Sequence, residues 1–301
     1  MHKTVRLETN SEETLGAVLK FFERHQYGKF ETPEFSWRLV CESDPKAQTS
    51  AMQVSAFSDL GLRYASLGQK GFMAVDLGRR EAVACLSDLS PEAKAGFKDR
   101  PPLDLLFSMT AASLGLTTLC GGCVGANHRG AMIFGPPNSG KTTACYLAAK
   151  GGMEFYSDQA VFLDMNNKSL RAWGDFLPAV FRPATLEFLP ELRQSALRST
   201  YGNLSFYCLD KRPLQARWAE PVVPVCSIFL NRGAASEPRL TQIAHEDAAA
   251  RLLGCMLFEE DSQFDTQTSE AINALAAKPA YILDYDSDPK TAAACIRKML
   301  P

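Results

Sequence analysis

Apolar positions recur along this chain with two periods. After a strand-like opening, KTVRLET, the spacing of Leu15, Val18, Leu19 and Phe22 predicts an amphipathic helix running to about His25. Asn10 with Glu13 has the form of a capping box at its start. Period two then takes over. FSWRLVC sets Phe35, Trp37, Leu39 and Cys41 on one face, and AMQVSAF repeats the pattern with Met52, Val54 and Ala56. GFMAVDLGRREAVACL reads as a hairpin turning around Gly78 and Arg79. These segments predict a strand-rich α+β lobe over residues 1–100.

From residue 101 to 301 helical and strand patterns alternate. Pro101 and Pro102 open a helix to about Leu116, with Leu103, Leu106, Phe107 and Thr110 on its stripe. Two strands follow, TTLCGGCVGA and AMIF, joined by a turn at Asn127 to Gly130. A glycine loop, a helix and a hairpin, EFYSDQAVFLDMNNKSLRAWG, come next. The last third contains a strand PVCSIFLN, a helix from about Ala244 to Leu257, a strand AYILDYD and a closing helix from about Pro289. The stretch from Arg182 to Gln215 is rich in loop residues and has no assignable period. The whole reads as an α/β chain.

Composition narrows the class. Of 301 residues 46% are hydrophobic and 22% charged, as in an ordinary globular protein. Thirty-two basic against 34 acidic residues leave a net charge of −2, so no global field would draw the chain to nucleic acid or an anionic membrane. The N-terminus lacks the apolar core of a signal peptide, and no segment offers the roughly 20 continuous apolar residues of a membrane span. Nine cysteines, scattered through apolar runs, read as small buried hydrophobes in a reducing compartment. A cytoplasmic location is expected, and a homo-oligomer is compatible with the sequence.

The chemistry concentrates between Ile133 and Asp164. Gly135, Gly140, Lys141 and Thr142 satisfy G-x-x-x-x-G-K-[ST], between the apolar run AMIF and the helix former KTTACYLAAK. In that setting consecutive backbone N–H groups and the positive end of the helix dipole surround a polyphosphate, and the lysine adds a full charge. Pro136 and Pro137 donate no amide hydrogen, which leaves the cradle to Asn138, Ser139, Gly140, Lys141, Thr142 and Thr143. The Thr142 hydroxyl is placed to meet Mg²⁺. Asp158, seventeen residues past Lys141 at the end of an apolar strand, is the candidate carboxylate for base or metal work.

A strand, this loop, its helix and then a strand ending in SDQAVFLD resemble the C-terminal catalytic domain of HPr serine kinase/phosphorylase. That family has a mixed-sheet P-loop kinase core related to phosphoenolpyruvate carboxykinase. The likeness is nearest to small divergent HPr-kinase-like proteins and covers roughly Leu103 to the C-terminus. The tail VPVCSIFLNRG, PRLTQIAHEDAAARLL and PAYILDYDSD shares in it. The resemblance implies ATP and Mg²⁺ as ligands, Lys141 at the β- and γ-phosphates, Thr142 on the metal, and Asp158 as base or metal-facing carboxylate.

Two positions depart from the family pattern. Its second aspartate is Gln159 here, and its histidine before the loop strand falls at Cys120. Neither replacement supplies the acid–base partner that reversible phosphorolysis uses, which leaves one-way transfer or ATP binding. The implied function is phosphorylation of a serine or threonine on a protein or peptide partner. The alternative is a non-catalytic nucleotide-binding accessory, since relatives of this kind occur beside peptide-modification systems.

Other residues have competing readings. Cys120 and Cys123 match C-x-x-C, but on a continuous strand they point to opposite faces. His128 lies in the turn before the loop strand. Arg182 and Arg232 each end an apolar run, where a guanidinium could meet phosphate. Phe176, Phe181, Tyr201 and Tyr207 are expected to pack loops.

Overall fold

The computed structural model describes residues 3–21, 32–42, 55–59, 61–68, 71–87, 103–166, 168–175, 179–201, 204–209, 214, 217, 220–258, 266–286 and 288–300. The chain divides into two compact units, Met1–Leu114 with Ser199–Ser205 and Gly115–Arg198 with Phe206–Pro301. The boundary read from the sequence, 100/101, lies outside the described residues. So do Pro101 and Pro102, Met52 and Val54, Phe176, and any helix beyond Phe21. Among the described residues no helix is long and apolar enough to cross a membrane.

The first unit is strand-rich. Its strands are β1 (Val5–Thr9), β2 (Phe35–Glu42), β3 (Ser55–Asp59), β4 (Leu62–Ser66), β5 (Gly71–Asp76) and β6 (Glu81–Ser87), in the sheet order β1-β2-β6-β5-β4-β3. Strands β1, β2 and β6 run parallel, and α1 (Glu12–Phe21) lies in the crossover between β1 and β2. The period-two reading holds where it can be followed: Phe35, Trp37 and Leu39 are buried. The β5–β6 hairpin also forms, Asp76 opposite Glu81. Two expectations for α1 change. Asn10 does not cap it; its amide exchanges hydrogen bonds with the backbone of Cys41, and Ser11 Oγ accepts from Thr14 N–H instead. With the cap moved by one residue, Thr14 and Val18 face inward while Leu15 and Leu19 stay exposed.

Helix α2 (Leu103–Thr110) buries Leu103, Leu106, Phe107 and Thr110 as the stripe requires, and ends in a 3-10 turn over Ala111–Leu114. Phe107 meets Trp37 edge-on, with centroids 6.4 Å apart.

The second unit is a mixed α/β assembly. Its strands are β7 (Leu116–Cys120), β8 (Gly122–Ala126), β9 (Arg129–Phe134), β10 (Glu154–Ser157), β11 (Ala160–Asn166), β12 (Ser169–Gly174), β13 (Ala179–Phe181), parts of β14 (Leu197–Tyr201) and β15 (Leu204–Leu209), whose residues 199–201 and 204–205 belong to the first unit, β16 (Val223–Arg232), β17 (Arg239–Ile243) and β18 (Ala280–Tyr285). Its helices are α3 (Lys141–Lys150), α4 (Leu192–Ser195), α5 (His245–Leu253), α6 (Thr266–Ala276) and α7 (Pro289–Lys298). The main sheet has the order β10-β8-β9-β16-β18-β17, with β9, β16 and β18 parallel at its centre. A second, antiparallel sheet has the order β12-β11-β7.

Both faces of the main sheet are covered, which is why its central strands read as continuous apolar runs. Ala131 and Ile133 of β9, with Cys226, Ile228 and Leu230 of β16, pack beneath α3 and α7. Met132, Phe134 and Phe229 face the other way, into a core shared with α5, α6 and the second sheet. Each fully buried side chain of the size of Phe134 contributes about 1.5–3 kcal/mol relative to exposure.

The segment TTLCGGCVGA, expected as one strand, is two. The chain breaks at Gly121, where a Cβ would lie 2.6 Å from the Phe134 ring, and β7 and β8 enter different sheets. The expected hairpin after the loop helix is likewise divided. Strand β10 joins β8, while β11 turns into β12 in the second sheet. Strands β4, β13, β14, β15 and β17 and helices α4 and α6, which the sequence pattern did not assign, are additional elements.

Candidate functional site

Strand β9 ends at Phe134 and delivers the chain to the loop 135–140. Gly135 (φ +146°), Asn138 (φ +68°) and Gly140 (φ +86°) all take positive φ, a conformation that costs L side chains about 1–2 kcal/mol and glycine little. A Cβ at Gly135 would approach Leu230 O at 2.8 Å and Ser139 Oγ at 2.6 Å. One at Gly140 would approach the Tyr285 hydroxyl at 2.7 Å. The loop closes on itself through Ser139 N–H to Pro136 O at 3.1 Å.

Helix α3 begins at Lys141 with no side-chain cap and no acidic residue in its first turn. The orphan N–H groups of a helix start and its positive dipole end are therefore left to the loop side. Lys141 folds back, its Nζ donating to Gly135 O at 2.7 Å and Pro136 O at 3.0 Å. Burial lowers its pKa, opposed by the neighbouring thiols of Cys120, Cys255 and Cys145. Thr142 is partly exposed and Thr143 buried. Ser139 is 3% exposed, and its Oγ has no hydrogen-bond partner among the described residues.

Asp158 follows β10. Because β10 is antiparallel to β8, and β8 to β9, β10 and β9 point the same way and end at the same sheet edge. Two strand spacings put Asp158 about 10 Å sideways from the start of the loop. This is the carboxyl edge of the parallel strands, where ligands of open α/β sheets bind. Arg232 ends β16 and Tyr285 ends β18 at the same edge. The Asp158 side chain is 1% exposed, so it is enclosed rather than displayed.

The turn that carries Asp158 is organised by a residue the sequence reading missed. Asp175 Oδ2 accepts from Ser157 Oγ at 2.6 Å and from the N–H groups of Gln159 and Ala160, each at 3.1 Å. It is 2% exposed. Nothing in the spacing of RAWGD pointed to it. Tyr285 was missed as well: its hydroxyl donates to Ser139 O at 2.6 Å, tying β18 to the loop.

Cys120 and Gln159 adjoin. Cys120 pairs with Ala160, and Gly121 N–H donates to Gln159 O at 3.0 Å. Cys123 lies buried in the other sheet, and among the described residues no group of three His, Cys, Asp or Glu side chains could hold a metal ion. His128 sits at the opposite end of β9 from the loop. It is exposed, and its Nδ1 lies 3.7 Å from Glu220. Arg182 is exposed at the start of the 3-10 turn Pro183–Glu187. The Arg232 guanidinium lies over the Phe188 ring at 5.9 Å.

No family model matches the chain, and no curated protein does. Among solved structures, the HPr(Ser) kinase/phosphatase from Coxiella burnetii is similar over 60% of this chain and 95% of that one, with 12% identity and a TM-score of 0.33. This is a weak and distant likeness of fold.

Proposed function

We propose that this chain binds a nucleoside triphosphate with Mg²⁺ at the loop from Gly135 to Thr143 and transfers the terminal phosphoryl group to a serine or threonine hydroxyl of a protein or peptide partner. The observation that carries this reading is the uncapped N-terminus of α3 behind a loop whose glycines leave no room for side chains. The buried Ser139 hydroxyl, which has no hydrogen-bond partner among the described residues, agrees with a polar ligand at that place.

In this reading the N–H groups of Asn138, Ser139, Gly140, Lys141, Thr142 and Thr143 surround the polyphosphate. Lys141 leaves its two loop carbonyls for the β- and γ-phosphates. Thr142 offers its hydroxyl to the metal, with Asp158 as the other oxygen ligand within the chain or, alternatively, as the base. Bound Mg²⁺ would neutralise phosphate charge and orient the terminal group. The acceptor oxygen forms its bond to the terminal phosphorus as the bond to the departing nucleoside diphosphate breaks, and its proton passes to Asp158 in the base role.

A second reading, a nucleotide-binding accessory with little chemistry, is favoured by the enclosure of Asp158 and by Gln159 and Cys120 beside it. One pair of experiments separates them. ATP with Mg²⁺ should raise the melting temperature of the parent and not of Lys141→Ala; equal stabilisation of both refutes the loop assignment. Label from γ-labelled ATP should then reach a discrete acceptor in a source lysate with the parent and not with Asp158→Asn. Binding without transfer or hydrolysis assigns the accessory role.

A further inference from the structure

Two thiols beside Lys141 have no part in the chemistry above. Cys120 ends β7, and Cys255 lies two residues beyond α5. Leu119 and Met256 form an isolated antiparallel bridge. Its two hydrogen bonds, Leu257 N–H to Thr118 O at 3.2 Å and Cys120 N–H to Cys255 O at 2.7 Å, set Cys120 directly across from Cys255. Opposed residues on antiparallel strands have Cα atoms about 4.5–5.5 Å apart and side chains on one face. A disulfide takes Cα separations of about 4.4–6.8 Å, a range that covers the spacing of residues opposed in this way. Both residues are partly exposed, whereas Cys123, Cys145, Cys208 and Cys226 are buried.

The pair also touches the loop. The Gly135 N–H lies on the side of the Cys255 sulfur and favours its thiolate. Burial pushes both thiols up, Cys255 to about 11, and the Lys141 ammonium works against that rise at each. Ionisation at neutral pH is therefore scarce, and the pair rests as two thiols.

We propose that Cys120 and Cys255 form an oxidation site that closes to an intramolecular disulfide and thereby disables the glycine loop. The loss of nucleotide binding rests on the function proposed above; the disulfide does not. With a peroxide as oxidant, one cysteine loses its proton to water, its scarce thiolate form attacks a peroxide oxygen, the O–O bond breaks, and a sulfenic acid and hydroxide, protonated to water, result; the small thiolate fraction makes the step slow. The second thiol then displaces water from that sulfenic acid as the S–S bond forms. Two thiols lose two electrons and two protons, and hydrogen peroxide becomes two waters. The bond removes both thiols from beside the Gly135 N–H and the Lys141 ammonium, the groups at the start of the loop.

The test uses the full chain. After treatment with hydrogen peroxide and alkylation, a non-reducing digest should contain the peptide of Cys120 joined to that of Cys255, reversed by dithiothreitol. The link should vanish in Cys255→Ser and in Cys120→Ser, which retains Cys123 and so separates the two cysteines of one peptide. A link that persists in Cys120→Ser, or none at a peroxide dose that oxidises methionine, overturns the site. In the parent, oxidation should reduce the ATP–Mg²⁺ melting shift at least twofold, and in Cys255→Ser leave it unchanged. A cross-linked parent with its full shift overturns the inhibitory half. A reduced parent with no shift refutes the nucleotide reading, while the peptide masses still decide the disulfide.

Discussion

The phenol of Tyr285 donates to the main-chain carbonyl of Ser139 at 2.6 Å, across 146 residues of sequence. Tyr285 is fully buried, so the last strand of the parallel core anchors the loop that the first strand of that core delivers. Tyr285→Phe keeps the ring and leaves the Ser139 carbonyl unsatisfied. We expect a loss of about 1–3 kcal/mol in urea denaturation and a several-fold weaker ATP–Mg²⁺ affinity by calorimetry. Intact affinity would show that the loop does not depend on this anchor.

The same pair gives a pH signature. Burial raises the Tyr285 pKa from 10.0 to about 12. Its stabilising effect is therefore complete below pH 10 and is lost as pH climbs towards 12, because the unfolded phenol ionises first. The stability gap between the parent and Tyr285→Phe should be constant below pH 10 and close between 10 and 12. Thermal melts of both proteins at matched pH cancel the titration of every other group. A gap that persists at pH 12 contradicts the assignment.

Gly140→Ala places a methyl group 2.7 Å from the Tyr285 hydroxyl at a residue with φ +86°. Backbone strain alone should cost about 1–2 kcal/mol, and the steric conflict adds to it. In the Tyr285→Phe background the second part disappears, so the two changes together should cost less than the sum of each alone. Strict additivity in a double-mutant cycle would mean that the loop has relaxed away from the tyrosine.

Asp175→Asn weakens three hydrogen bonds accepted by one oxygen within the turn that carries Asp158. A destabilisation of about 1.5–3 kcal/mol is expected, as for a buried charge-assisted bond. The phosphoryl transfer proposed above should fall further than the folded fraction does, because the turn positions Asp158. Activity that tracks only the folded fraction would reduce Asp175 to a structural role.

Lys141→Met separates ligand binding from stability. Burial already disfavours the ammonium, so its charge costs stability at neutral pH, a cost that fades only as pH rises through the lowered pKa towards 10.5. The variant should melt within about 2 °C of the parent or above it, while its response to ATP–Mg²⁺ disappears. A large fall in melting temperature would identify the lysine as a structural clamp on Gly135 and Pro136.

Much of the architecture could be read locally. The alternation at Phe35, Trp37 and Leu39, the stripe at Leu103, Leu106, Phe107 and Thr110, and the glycine spacing 135–140 all record contacts within one element, and a one-dimensional period reports such contacts faithfully. The stretch TTLCGGCVGA misled because its residues are apolar on both sides of the break. At the break a Cβ on Gly121 would meet the Phe134 ring, and β7 and β8 enter different sheets, a partition among distant segments. Asp175, Tyr285 and Cys255 carried no local sign, since each acts on a residue distant along the chain.

Order along the chain thus established a glycine loop with a lysine at a helix start and a carboxylate downstream, because backbone conformation and helix polarity follow from neighbouring residues. Folding settled what those groups meet. Sheet order brought Asp158 to the edge where the loop lies and enclosed it, and an antiparallel bridge set Cys120 opposite Cys255. Those relations depend on which strands pair, and pairing is a choice among distant segments that no local pattern encodes.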